Sequence, residues 1–251
     1  GLVGADRRGF SPALEVSLKG IAMTDSMSTP DSSTLGVSID LIHLPIQISA
    51  EQLRDVYMEV SGTCGYENFT KTATGARLES SPSPESGMSR VTFAKDRVQF
   101  EEQGAGTGTD VFFRRIEEVL RSLRQRVNIP MIVARTRNHR TLLQVPGGGE
   151  AARWLSEHAF NLDGEDFNAI GRPATVSGLR LQLPPQVQGE AHHLVRIEAW
   201  LKDPRSLFIE DVATWRFPLP VDQLEKLGQD LRAAEQVTAV GIPAWIASLG
   251  R

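Results

Sequence analysis

One short stretch constrains this chain more than any other: RVTFAKDRVQF, beginning at Arg90. Val91 and Phe93 face one way, Val98 and Phe100 answer them, and Lys95-Asp96 reads as the turn of a tight hairpin. The same alternation returns in HLVRIEAWL and SLFIEDVATWRF, joined by KDPR, a good turn sequence. MIVARTRNHRTLLQVPGGG likewise reads as two strands around an Asn138-His139 turn. Short turns join only antiparallel neighbours, because parallel strands need a long crossover. The pattern therefore argues for antiparallel sheet and against a doubly wound parallel one.

Helical spacing fills the gaps between these strands. Ser49 with Gln52 three positions on makes a capping box, and Leu53, Val56, Tyr57 and Val60 follow as one apolar stripe. The spacing predicts a second helix from Asp110 to about Arg126, burying Phe112, Ile116, Val119, Leu120 and Leu123. Its polar face sets Arg114 and Arg121 beside Glu118 and Glu117 at i,i+4 distances. EAARWLSEHAF predicts a third helix, VDQLEKLGQDLRAAEQV a fourth with Leu224, Leu227 and Leu231 on one face, and PAWIASLG a short last one.

The expected fold class is α+β: two consecutive halves, each a mostly antiparallel sheet with helices packed on one face. The order β-α-β-β-β-α occurs twice along the chain, which suggests an internal duplication. The halves run over 36–146 and 147–251. Residues 1–35 read as a poorly packed leader, with Met23 as a candidate natural start; the competing reading makes ALEVSLKGI a strand with Leu14, Val16 and Leu18 on one face.

Composition narrows the class of protein. The longest apolar runs, such as IPMIVA from Ile129, are strand-sized, against roughly 20 residues for a membrane-spanning helix. The lone Cys64 rules out an internal disulfide framework and a cysteine-rich zinc site, and is compatible with a reducing compartment. A soluble, cytoplasmic protein is expected. Net charge is −4, but it is unevenly spread: between positions 111 and 153 stand nine arginines and three glutamates, with no lysine or aspartate.

Motifs that would announce chemistry are missing. The glycine run from Gln103, QGAGTGTD, lacks the lysine of a phosphate loop and puts Asp110 where an anion would sit, so it reads as a strand-to-helix connection. His43, His139, His158, His192 and His193 form no metal-ligand spacing, and NLDGEDF lacks the closing glutamate of a calcium loop. No metal and no cofactor are expected. Cys64 has no nearby cation in sequence and reads as a small, partly buried thiol; no GxSxG elbow occurs.

One candidate site survives. Arg135, Arg137, Asn138, His139 and Arg140 cluster around the expected hairpin turn, and alternation puts Arg135 and Arg137 on one face. Guanidinium forks suit phosphate or carboxylate, so an anionic ligand, a nucleic acid or an acidic protein surface would be the partner. The bland alternative is a solvated hairpin tip, and the segment lacks the aromatics on which single-stranded bases stack.

From Val37 to the end the chain resembles a family of uncharacterised, sporadically distributed prokaryotic proteins. RVTFAKDRVQFEE is similar to that family's hairpin before its long helix, and Arg135-Thr-Arg-Asn138 to its Arg-x-x-Asn signature. LFIEDVATWRFPLPVDQLEKLGQDLRAAEQV is similar to its last strand, Pro connection and final helix. Thr136 and Arg137 stand where the signature has an aromatic and an aliphatic residue. The resemblance implies an architecture of two α+β halves and no activity.

The leading expectation is a non-catalytic binding or interaction protein, working through the basic hairpin or the groove between the halves. The alternatives are a hydrolase-type enzyme using carboxylates, and a structural subunit of an oligomer.

Overall fold

In the computed structural model, residues 32–84, 87–104, 108–163 and 165–250 are described. Most of the leader, including the ALEVSLKGI segment and Met23, lies outside them. Residues 32–35 open the first strand, β1 (Ser32–His43). Ser49 caps α1 (Ala50–Cys64) through the capping box expected from sequence: its hydroxyl accepts from Gln52 N at 3.1 Å, and Gln52 Oε1 accepts from Ser49 N at 2.9 Å. The chain then forms β2 (Asn68–Thr72), β3 (Gly75–Glu79), β4 (Met88–Ala94) and β5 (Arg97–Gln103). β2 and β3 pair as an antiparallel hairpin, Phe69 opposite Leu78. The first helix is followed by four strands before the next helix, not three.

After α2 (Thr109–Arg124) comes β6 (Met131–Gln144), then a single helical turn, α3 (Ala151–Trp154), which continues as a π-type turn over Leu155–Ala159. β7 (Gly178–Leu183), β8 (His192–Ala199), β9 (Ser206–Trp215) and the short β10 (Leu219–Pro220) follow. The chain closes with α4 (Leu224–Glu235), a second π-type turn over Gln236–Gly241, and α5 (Ile242–Leu249). No helix among the described residues is long and apolar enough to cross a membrane.

All ten strands join one antiparallel sheet, in the order β2-β3-β4-β5-β1-β6-β9-β8-β7, with β10 beside β6. The α+β class read from the sequence is the class observed. The hairpin at Lys95-Asp96 is present, with Val91 opposite Phe100 and Phe93 opposite Val98. The hairpin at Asn138-His139 is not. β6 runs through those residues without a turn, and Asn138 pairs with Ser38 of β1 on one side and Val212 of β9 on the other. The reason is local as well as tertiary. Asn-His lacks the glycine that a two-residue turn favours, and the strands on both sides take up β6's backbone groups.

Strand alternation puts one face of this sheet against the helices. A row crosses all nine ordered strands on that face: Phe69, Leu78, Val91, Phe100, Ile39, Arg137, Ala213, His193, Leu183. It is apolar at both ends and charged in the middle. Strands β1 and β3 to β5 pack with α1 and α2 into one apolar cluster, which Leu227, Leu231 and Ala234 of α4 complete. Leu143, Val195, Ile197, Leu207 and Ile209 form a second cluster under α3 and α5. The opposite face carries cross-strand ion pairs, Arg90 with Glu79 at 2.7 Å and Glu101 at 3.2 Å, and Arg196 with Glu210 at 3.1 Å. At Gly36, where β1 bulges, a Cβ would lie 2.9 Å from the Glu102 carbonyl oxygen, so only glycine lets β5 approach this closely.

Candidate functional site

Between the two apolar clusters the sheet presents charge to the helix layer. From Arg135 onward the odd-numbered residues of β6 point that way, so Arg135, Arg137 and His139 are buried, while Asn138 and Arg140 fall on the other face. The five residues expected to share a hairpin tip therefore do not form one surface. Asn138 donates to Glu210 at 3.2 Å across the outer face.

The buried cations meet carboxylates from α4 and β9. Arg135 Nη1 lies 2.5 Å from Asp230 Oδ2, and its guanidinium sits 5.4 Å from the Trp215 ring centre. Lys226, one turn earlier on α4, also binds Asp230. Arg137 pairs with Glu235, lies 3.7 Å from Asp211 and donates to the Thr238 hydroxyl at 3.3 Å. Burial pulls both guanidiniums below the ordinary arginine value, and the facing carboxylates oppose that shift.

His139 is held neutral by the same surroundings. Burial first, then the Arg137 charge, pushes its pKa down to about 4, with Asp211 pulling the other way. Its Nδ1 accepts from Arg137 Nη2 at 2.9 Å, which leaves the proton on Nε2, facing Thr34 Oγ1 at 3.4 Å. The 3.4 Å approach of Glu235 to this ring is therefore a contact with a neutral imidazole, and Glu235 takes its counter-charge from Arg137.

Asp211 sits at the centre and is wholly buried. It accepts from Thr238 Oγ1 at 2.6 Å and from His193 Nδ1, which lies 2.9 and 3.0 Å from its two oxygens. Thr238 reaches it because the helix widens into the π-type turn over Gln236–Gly241. Such turns re-aim a side chain without ending the helix.

His193 and Asp230 carry the network to the surface. Both border a cleft of about 670 Å³ between the 184–191 loop and α4, over an apolar floor that includes Trp215, Ala234 and Val237. With Nδ1 committed to Asp211, His193 Nε2 has no partner among the described residues, and neither have the carboxamides of Gln186, Gln188 and Gln229 on the walls. The charged groups bordering the cleft already have partners. Lys226 holds Asp230, and the Glu190 carboxylate accepts from the backbone N–H groups of Gln186 and Val187 at 2.8 and 3.1 Å.

Sequence reasoning missed Asp211, His193, Asp230, Glu235 and Thr238. A signal existed for Asp211, which follows Leu207 and Ile209 at the same parity along β9 and so had to be a carboxylate on an apolar face. Cys64 is buried, and that burial pushes its thiol pKa up, away from nucleophilic use. Among the described residues no group of His, Cys, Asp and Glu is placed to hold a metal ion. Compared with protein-family models, curated proteins and solved structures, the chain matches none of them. Arg135 to Asn138, one of the three stretches that carry the resemblance, divide between the two faces of the sheet.

Proposed function

We propose that this chain is a small-molecule-binding protein whose ligand occupies the cleft between the 184–191 loop and α4. The observation that carries the reading is His193: its Nδ1 is fixed on a buried carboxylate and its Nε2 is left unpaired at the cleft. A ring held this way is pre-organised as a hydrogen-bond partner, with little further ordering on binding. The ligand chemistry follows from what remains unmatched. Lys226 neutralises Asp230 and backbone N–H groups hold Glu190, whereas one imidazole nitrogen and three carboxamides have no partner among the described residues over an apolar floor. That combination suits an uncharged molecule with an apolar body and hydrogen-bonding groups along one edge.

The arginines of β6 serve this site from beneath, as counter-charges for Asp211, Asp230 and Glu235. A second reading has one observation in its favour, since a histidine oriented by a buried carboxylate is also placed as a general base. Among the described residues no serine, threonine or cysteine lines the cleft, so this version would move a proton or activate water.

A thermal-shift screen of neutral heterocycles and amides against the whole chain, repeated with His193→Asn, tests both readings. Asn can still donate to Asp211 but lacks the Nε2 lone pair. Stabilisation of the wild type that the variant loses, at unchanged Tm without ligand, is the expected result. Stabilisation indifferent to His193, or no stabilisation across the screen, overturns the reading. Conversion of a bound compound by the wild type and not by the variant would select the general-base version.

A further inference from the structure

At the other end of the sheet, a separate pocket of about 430 Å³ is enclosed by residues 46–50, the β2–β3 turn over 71–75 and the β4–β5 corner at 93–95. Its base is apolar, with Leu53 and Phe93 fully buried and Ile46 and Ile48 packed beside them. Its walls differ from every other charged surface described above, because they contain no carboxylate. Among the described residues the ionic groups lining the pocket are Lys71 and Lys95, joined by the hydroxyls of Thr72 and Thr74. Neither ammonium group has an ion-pair or hydrogen-bond partner among the described residues. Of the nearest acids along the chain, Asp96 lies 3.4 Å from Arg97, and Glu51, exposed in the first turn of α1, does not line the pocket. Thr72 Oγ1 is buried in the wall without a partner among the described residues.

The backbone here is tightly fixed. A Cβ on Gly75 would fall 2.1 Å from the Phe93 carbonyl oxygen, so the β2–β3 turn sits hard against β4. The N-terminal end of α1 borders the pocket through Ala50 and adds the positive end of its dipole. In a chain of net charge −4 whose buried arginines all face carboxylates, two unmatched ammonium groups over an apolar base form a local positive site.

From these walls we infer that this pocket binds a small organic anion, with a carboxylate or phosphate monoester between Lys71 and Lys95 and an apolar body against Ile46 and Ile48. Lysine suits such a head group as a compact point charge with rotatable donors. This inference does not rest on the cleft at His193.

The test is an amide-resolved NMR titration of the whole chain with benzoate, phenyl phosphate, inorganic phosphate and the neutral benzyl alcohol. Benzoate or phenyl phosphate should give saturable shifts confined to residues 46–50, 71–75 and 93–95. The Lys71→Gln/Lys95→Gln double variant, folded by its unchanged remaining spectrum, should weaken that binding about tenfold or more, the worth of one charged contact. His193→Asn should leave it untouched. Tighter binding of phenyl phosphate than benzoate would assign the phosphate ester, and the reverse the carboxylate. Equal binding of benzyl alcohol, binding indifferent to the double variant, or the absence of saturable shifts in these segments would each overturn the inference. Inorganic phosphate binding as tightly as phenyl phosphate would remove the apolar body from it.

Discussion

Arg135 and Asp230 stand 95 positions apart in sequence, and their side chains meet 2.5 Å apart beneath α4, both almost wholly shielded from water. Sequence neighbours did not select this pair; the sheet and the helix did. Removing one member strands the other's charge, which costs far more than the pair itself is worth. Arg135→Met should therefore lower stability by about 3 kcal/mol. Lys226 keeps the value at the low end because it still neutralises Asp230. The double variant Arg135→Met/Asp230→Leu should recover much of the loss, read as the urea midpoint at constant slope.

The two faces of β6 should respond differently to the same change. Arg137 is enclosed by Glu235, Asp211 and Thr238, whereas Arg140 lies on the opposite face with no carboxylate partner among the described residues. Arg137→Met should cost about 3–5 kcal/mol, and Arg140→Met about 0.5 kcal/mol or less. Equal effects in chemical denaturation would contradict the strand parity described here.

His139 makes stability depend on pH in a defined window. Its pKa is about 4 in the folded protein against an ordinary 6.5, so the unfolded chain takes up the proton first as pH falls. Stability from keeping this ring neutral is whole above pH 6.5, declines as pH falls towards 4, and is fully lost below that value. The full difference corresponds to about 3 kcal/mol. His139→Gln, which keeps an acceptor for Arg137, should flatten that part of the stability–pH curve measured by urea titration.

Thr238 tests the π-type turn. Its hydroxyl donates to the buried Asp211 at 2.6 Å. Thr238→Val keeps the shape and removes the donor, for an expected loss of about 1–3 kcal/mol, and Thr238→Ser should restore most of it. A Tm unchanged by the valine substitution would mean that Asp211 does not depend on this hydroxyl.

Much of the fold was legible because it is local. The Ser49–Gln52 box, the Lys95-Asp96 hairpin and the stripe of Phe112, Ile116 and Leu123 each depend on residues a few positions apart. The candidate site was not, because its members come from β6, β8, β9 and α4 and meet only when the sheet is assembled. β6 was misread for a further reason. Arg135, Arg137 and His139 alternate with Thr136, Asn138 and Arg140, so neither face is apolar and alternation cannot say which one is buried. The cluster of arginine charge was visible in composition. Its counter-charges, Asp211, Asp230 and Glu235, lay far along the chain in segments that read as ordinary strand and helix.

β1 shares one edge with β5 and the other with β6, and the apolar face of the first five strands is finished by Leu227, Leu231 and Ala234 of α4. A nascent chain can pair its early strands as they emerge. α1 and α2 cover much of that face, but it is not finished until one of the last helices has been made, and contacts across such long sequence separations slow the search for the native arrangement. Until β6 is made the second edge of β1 is unpaired, and unpaired strand edges readily find the wrong neighbour. Refolding yield should therefore fall with protein concentration more steeply than native stability alone would suggest.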